Sequence, residues 1–394
     1  MSWLLKMTVL VSGLMAPAAL YLSFRLYNLI KKRWQNVPSI KWAGPLLISS
    51  FFLFPLAGLI DYYTTNNVDL LAYPKILTYW FWFGLVFLFQ LISWVVIADL
   101  LKLASRLHSS IESKVDRWYS HFIIAVFVLV FIFVGLKMHN NTTQIVAETQ
   151  TIPVKEIPQP LKDFKIVHIS DIQGDEYTGR QDIARYIQKV NKLNPDLIIF
   201  TGDLISYGTD FIAMAARELG KATATYGTVA VVGDHDYWAG TDTVEKALEK
   251  QGISLLRDEN YSIRLDSVNS FVVTGVTEVY SKASSPNVVD SLTRNTADPQ
   301  LKVFASHQVD KHLVKSAQQN NYDLMLAGHT HGGQIRIPFM GMSFSAAERE
   351  TKYVSGLYQE GALPIHINNG LGFTLGPVRY GAPPTVTLLR LYKK

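Results

Sequence analysis

Aspartate and histidine recur where short apolar runs end. One run stops at Ser170-Asp171, with Gln173 two places further on. Others stop at Gly202-Asp203, at Gly233-Asp234-His235-Asp236, at Ser306-His307 and at Gly328-His329-Thr330-His331. Carboxylate oxygens interleaved with imidazole nitrogens make the N/O ligand set that suits Zn, Mn or Fe. The same groups brought together without a cation would be a costly buried cluster. Glycines beside Asp203, Asp234 and His329 allow the sharp turns and close backbone approach that a metal loop needs. The chain has no cysteine, which excludes disulfides, thiolate catalysis and Cys-ligated zinc.

The elements that must position these residues are legible around them. "FKIVHIS", "DLIIFTG", "TVAVVG", "FVVTGV", "LKVFAS" and "YDLMLAG" read as strands buried on both faces. "RQDIARYIQKVNKL", "TDTVEKALEK" and "DKHLVKSAQQN" read as helices between them. Alternation of this kind predicts an α/β layered domain. Loops at the carboxyl ends of strands are where such sheets build their sites.

Upstream the composition changes. Residues 1–140 hold 12 Lys+Arg against 5 Asp+Glu, a net +7, and the remainder holds 25 against 27, a net −2. The basic balance therefore belongs to the N-terminal part, and no nucleic-acid partner is expected of the C-terminal part. Four apolar runs, at residues 8–30, 42–60, 76–101 and 122–136, predict an all-α region of four transmembrane helices anchoring the protein in the lipid bilayer. The first run is longer than the core of a cleaved signal peptide, and its basic residues follow it. Lys31, Lys32, Arg33 and Lys41 in the first loop, and Lys102, Arg106, Lys114 and Arg117 in the third, place those loops in the cytoplasm. The second loop carries Asp61, Asp69 and Lys75 and falls outside, so the C-terminal domain is expected to be extracytoplasmic. Arg25 and Asp99 fall near helix ends, where they can reach the interface, and so point to an anchor rather than a transporter. The expected organisation is residues 1–136 in the membrane, a linker over 137–163, and a metal-binding domain over 164–394.

In the order "SDIQ", "TGDL", "GDHD", "SHQ", "GHTH", the chain resembles the calcineurin-like metallophosphoesterases. The tail segments "GHTHGGQIRIP", "KYVSGLY", "INNGLG" and "PVRYGAPPTVTLLRL" resemble the membrane-anchored bacterial branch of that family. The resemblance implies a four-layer αββα sandwich holding two divalent metal ions. It implies Asp203 as the bridging carboxylate, with Asp171, Gln173 and His331 on the first metal. Asp234, His307 and His329 fall on the second. His235 would stand beside the metals to stabilise or protonate phosphoryl oxygens, with Asp236 orienting it. Two such metals, about 3.5–4 Å apart, clamp a phosphoryl group for in-line attack.

This chain departs from the pattern at two ligands. Gln173 replaces a histidine and offers only a neutral amide oxygen, poor for zinc and fair for manganese or magnesium. Asp234 replaces an asparagine and adds a charge. A tight second metal and a weaker first one are expected, with Asp175 near enough in sequence to substitute. A phosphoester substrate is implied, with lipid-linked or envelope-linked esters suggested by the membrane tether. Phe339, Met340, Met342 and Phe344, just after the last metal motif, are candidates to line an acyl-chain groove or to pack in a core. The alternative from another class is a non-catalytic sensor or scaffold that binds a phosphoryl ligand at a degenerate metal site.

Overall fold

Apolar residues fill the N-terminal segments so densely that helices run well past the length needed to cross hydrocarbon. The computed structural model describes residues 2–65, 70, 73–154, 157, 159–267, 269–296, 299, 301–339 and 342–393. The chain divides into two units. One holds residues 1–140, 335–344 and 375–381, and the other holds 141–334, 345–374 and 382–394.

The first unit is built on α1 (Trp3–Arg33), α2 (Ala43–Ser50), α3 (Leu53–Thr65), α4 (Lys75–Ser105) and α5 (Ser109–Thr143). Three of these helices are long and apolar enough to cross a membrane, and there are four spans if the bent pair α2–α3 counts as one. The second apolar run is thus not the straight helix expected. It bends by 61° between Ser50 and Leu53. Pro55 sits in the first turn of α3, where its missing N–H costs nothing, and it could not sit inside a continuous helix so cheaply. Phe51, at the bend, is fully buried against Gly84, where a Cβ would lie 2.4 Å from its ring. The fourth run, short in sequence, lies within the 35 residues of α5.

Arg25 and Asp99 are not separate snorkelling charges. They pair with each other, and the Tyr21 and Tyr119 hydroxyls both donate to Asp99. A paired charge is much less costly at membrane depth than a lone one.

Residues 335–344 also belong to this unit, as a two-stranded ribbon of Ile337–Phe339 with Met342–Phe344. Arg336 N donates to Tyr380 O at 2.7 Å, and the Lys137 ammonium lies 4.7 Å over the Tyr380 ring. The acyl-groove expectation falls on this ribbon. Met340 and the side chains of Phe339 and Met342 lie outside the described residues, as do Asp69 and Pro158.

The second unit carries two six-stranded sheets. Its strands are β1 (Val146–Val154), β2 (Lys165–Ile169), β3 (Leu197–Phe200), β4 (Thr228–Val231), β5 (Ser254–Leu256), β6 (Glu259–Arg264), β7 (Ser270–Val276), β8 (Leu301–Ser306), β9 (Leu324–Ala327), β10 (Gly356–Glu360), β11 (Leu363–Ile367) and β12 (Thr385–Lys393). The first sheet runs β1-β12-β2-β3-β4-β5, and the second runs β10-β11-β9-β8-β7-β6. The helices are α6 (Arg180–Asn191), α7 (Ile212–Leu219), α8 (Asp234–Glu249), α9 (Pro286–Arg294) and α10 (Lys311–Gln319).

Side chains alternate across each strand. Ile166, Leu197, Ile199 and Val229 of the first sheet meet Phe271, Val273, Val303 and Leu324 of the second in one core between the sheets. Val167, Ile198, Phe200 and Ala230 face the other way, onto α6, α7 and α8. Phe304, Met325 and Ile365 face α9 and α10. This is the expected αββα sandwich, and it explains why the central strands read as unbroken apolar runs.

The expected linker over 137–163 is a different matter. Val146–Val154 is an edge strand, paired in parallel with β12 over nine residues. Pro153 lacks an N–H but is tolerated because an edge strand has a free side.

β2, β3 and β4 are parallel neighbours, and so are β7, β8, β9 and β11, so within each set the carboxyl ends reach one edge. On the flank of the first sheet, Glu218 of α7 is 1% exposed and holds Arg180 at 2.9 Å and Lys221 at 2.6 Å. Burial alone would raise its pKa, but the hydrogen bonds from Lys221 and Arg180 outweigh this and hold it below the ordinary value. A lowered folded pKa adds stability above the unfolded value and loses it as pH falls through the folded one. Glu218→Gln should therefore destabilise the unit by about 1–2 kcal/mol at pH 7, since both partners are exposed and screened. The gap to wild type should close below about pH 4. Thermal midpoints of both proteins in detergent across that range check this.

Candidate metal centre

The ligand-bearing strand ends converge on one place. Ligand atoms of Asp171, Asp203 and His307 lie within 4.8 Å of one another, and so do those of Asp234, His307 and His329. His331 Nε2 joins the first group at 3.3 Å from Asp171 Oδ1. His235, in the first turn of α8, donates its backbone N–H to Asp203 Oδ1 at 2.9 Å, and its Nε2 lies 4.0 Å from Asp203 Oδ2. Gln173 also reaches this point, through a hydrogen bond of 2.7 Å from Nε2 to Asp203 Oδ2. All of the expected ligands are therefore neighbours. His307 stands between both groups, where the resemblance assigned it to the second alone.

The backbone is bent hard to achieve this. Asp171, Gln173, Asp203, His329 and His331 all have φ between 50° and 70°. A non-glycine residue in this region costs on the order of 1 kcal/mol or more, and such strain clusters at functional sites. The turns are held by Asp171 N on Gly202 O, Gln173 N on Asp203 O, and Gly328 N on His307 O. Two glycines make room. A Cβ at Gly233 would lie 2.1 Å from Asp203 N, and one at Gly328 would lie 1.8 Å from Ser170 Oγ.

His307 is fully buried, and its Nδ1 lies 2.7 Å from the Thr201 carbonyl. Since a carbonyl only accepts, Nδ1 carries the proton and Nε2 is left to bind a cation. Nε2 faces Asp203 Oδ2 at 3.3 Å and Asp234 Oδ2 at 3.4 Å. His307 Nε2, Asp171 Oδ1 and Gln173 Oε1 are all buried and make no hydrogen bond. Buried polar atoms are normally satisfied. Three orphans brought together from two loops are the donor set a divalent cation would complete, and these residues fit such a group.

The electrostatics agree. Burial disfavours a charged His307, but Asp203, Asp234 and Asp171 outweigh it and push its pKa well above the ordinary value. His329 is pushed up to about 9, against its burial, by Asp234 and Glu350. Asp203 is held down to about 2, against its burial, by the neighbouring imidazoles of His307 and His235. The site thus draws positive charge strongly.

Two expectations change. Asp236 does not orient His235. Its carboxylate accepts from Asp203 N at 2.8 Å, Leu204 N at 2.9 Å and Gly233 N at 3.1 Å, so it pins the loop carrying Asp203. Burial and then the charge of Asp203 push its pKa up to about 7. Asp175 is not a spare ligand, because Tyr177 N, Thr178 N and Ser206 Oγ occupy its oxygens. The extra charge of Asp234 is met by Tyr280 N at 2.6 Å, Gln308 Nε2 at 2.7 Å and His329 Nδ1 at 2.9 Å.

Gln308, Tyr280 and Glu350 were not singled out as site residues from the sequence. Glu350 Oε1 holds His329 Nε2 at 2.8 Å and fixes which ring nitrogen faces Asp234. Only Gln308, beside His307, carried a local signal. The other two arrive by tertiary contact.

Residues 164–333 match the Calcineurin-like phosphoesterase family. The chain is 30% identical to the uncharacterized metallophosphoesterase YkuE of Bacillus subtilis over 260 residues, 65% of this chain and 89% of that protein. It is 28% identical to phosphodiesterase YaeI of Escherichia coli, over 58% of this chain and 82% of the relative. It is 25% identical to a transmembrane protein with metallophosphoesterase domain of Danio rerio, over 73% of this chain and 66% of the relative. Fold, ligand geometry and relatives agree: the chain belongs to the calcineurin-like metallophosphoesterases.

Proposed function

We propose that the protein is a membrane-tethered phosphodiesterase working with two divalent metals at this centre, on esters presented outside the cytoplasm. The observation that carries the reading is the convergence of buried, unpartnered ligand atoms from Asp171, Gln173 and His307. Asp171, Gln173, Asp203 and His331 would hold the first metal, and Asp203, Asp234, His307 and His329 the second. Bound divalent metals supply Lewis acidity to the phosphoryl oxygens and lower the pKa of water near 7. The chain's own residues do the rest. His307 is common to the two groups, and Asp236 holds the Asp203 backbone in place. Glu350 and Thr201 fix the rings of His329 and His307. His235, partly exposed and beside Asp203, is the group free to protonate the departing ester oxygen.

Charge in the loops supports the orientation. If α2 and α3 cross together as one bent span, Lys31, Lys32 and Lys41 share the cytoplasmic side with Lys102, Arg106 and Lys114. A re-entrant pair would put the second basic cluster outside. The tether supports a lipid-linked or envelope-linked ester as substrate. The reading as a diesterase draws on the Escherichia coli relative's name.

A second reading has one observation in its favour. Gln173 Nε2 occupies an Asp203 oxygen that the first metal would use, so the first site could stay weak and the protein serve as a phosphoryl-ligand sensor. The test is turnover of bis(p-nitrophenyl) phosphate and p-nitrophenyl phosphate by the detergent-solubilised chain with Mn, Zn, Mg or no metal. Metal-dependent diester turnover, lost on chelation and falling about 10²-fold or more in His235→Ala, is expected. Metal binding without turnover of either ester would favour the sensor.

A further inference from the structure

Large side chains left exposed in the catalytic unit include four aromatic ones, Tyr207, Trp238, Tyr280 and Tyr392, and two of these rings lean on site histidines. The Trp238 ring lies 5.1 Å from the His235 ring at 70°, and the Tyr280 ring lies 5.0 Å from the His329 ring at 75°. Trp238 is 54% exposed and Tyr280 59%, so each keeps a wide apolar surface in water directly beside the site histidines. Neither ring is loosely placed. Trp238 Nε1 donates to Ser281 Oγ at 2.6 Å, the neighbour of Tyr280, so both rings hang on one two-residue segment. That segment is fixed in turn, through Tyr280 N on Asp234 Oδ1 at 2.6 Å.

We propose that Trp238 and Tyr280 form a stacking platform for an aromatic ring on the phosphoester, so that the enzyme prefers esters carrying a nucleoside or another aryl group over plain alkyl esters. This rests on the phosphoesterase reading above. A phosphoryl group at the metal ligands puts its ester substituents within reach of both rings, since His235 and His329 are common to the two places. Trp238, pinned at its polar edge, and Tyr280, on a backbone held by Asp234, lose little entropy on binding, and they offer flat faces that suit a planar π system. Stacking of one base on one aromatic side chain is typically worth a change of about 5- to 150-fold in binding.

The experiment compares two mixed diesters with the same leaving group, thymidine 5′-(p-nitrophenyl phosphate) and ethyl p-nitrophenyl phosphate. The solubilised full-length chain is used, and the ratio of their kcat/KM values is the readout. Wild type should prefer the nucleoside ester. The preference should fall roughly 10-fold in Trp238→Leu and in Tyr280→Leu, which keep apolar bulk without a flat face. It should be largely kept in Trp238→Phe. Absence of a preference in wild type, or equal losses on both esters in the Leu variants, overturns the platform. Loss of binding to phosphatidylcholine–phosphatidylglycerol vesicles with the ratio retained overturns it too, and makes the rings a membrane contact. If neither ester turns over, the phosphoesterase reading fails separately. Quenching of indole fluorescence by thymidine 5′-monophosphate, present in wild type and lost in Trp238→Phe, then still upholds the platform, and its absence rejects it.

Discussion

Asp203→Asn should lower kcat on an activated phosphodiester by on the order of 10³-fold, the largest loss expected of any single isosteric change in this chain. Asp203 is 2% exposed, and both its oxygens are committed. Oδ1 takes the His235 N–H at 2.9 Å, and Oδ2 takes Gln173 Nε2 at 2.7 Å while facing His307 Nε2 at 3.3 Å. An asparagine keeps the shape but loses the charge that sets both histidines. Whichever way its amide turns, an NH2 group meets a donor, either the His235 N–H or the Gln173 amide. A loss of 10³ corresponds to about 4 kcal/mol of transition-state stabilisation. That is also about what a buried charge partner is worth when its counterpart is left behind. Two measurements separate chemistry from folding. Metal content after dialysis should fall from two ions per chain to one or fewer, while the far-UV circular dichroism stays that of wild type. A folded variant that keeps two metals and turns over within 10-fold of wild type rules out Asp203 as the shared carboxylate.

What was legible in the sequence follows from where each residue stands in the fold. β2, β3, β4, β8 and β9 are buried on both faces, so they appear as short apolar runs that stop abruptly at a ligand. The glycines at 202, 233 and 328 flagged the turns, because backbone geometry there leaves no room for a Cβ. Asp171, Asp203, Asp234, His307, His329 and His331, which the fold brings together, could therefore be picked out before any coordinates.

Elements at the margins were not legible. β1 has one exposed face and a proline, and its pairing with β12 spans more than 200 residues, so it read as linker. The start of α8 was hidden because its first turn is the metal motif "GDHD" itself, and Gly240, at φ 104°, interrupts the helix before the amphipathic stretch begins. The role of Asp236 could not be assigned from spacing either. As the third residue of a helix capped by Gly233 it turns back onto backbone N–H groups, away from the neighbouring histidine ring. Glu350 reaches His329 across 21 residues that include the ribbon of the other unit, and no local pattern announces that.

Gln173→His should strengthen the first metal site by roughly 10- to 100-fold and shift its preference from manganese toward zinc. In the native protein Gln173 offers that site an amide oxygen, Oε1, that is buried and without a hydrogen bond, while its Nε2 is spent on Asp203. An amide oxygen is a neutral, hard and weak ligand. The same amide also withdraws an Asp203 lone pair from any metal that approaches. Imidazole reverses both effects, because its nitrogen is a stronger donor and it no longer ties down Asp203 Oδ2. The second site should respond little, since Asp234, His307 and His329 are oriented by Gln308, Thr201 and Glu350 rather than by residue 173. Titration of the metal-free, solubilised chain with Mn and with Zn provides the check. Wild type should show two unequal classes of site and Gln173→His two similar ones, with Gln173→Ala keeping the tight class alone. Two equally tight sites in wild type would mean that the amide oxygen is no handicap. Unequal sites that persist in Gln173→His would mean that the asymmetry arises elsewhere, in the shared position of His307 between the two groups.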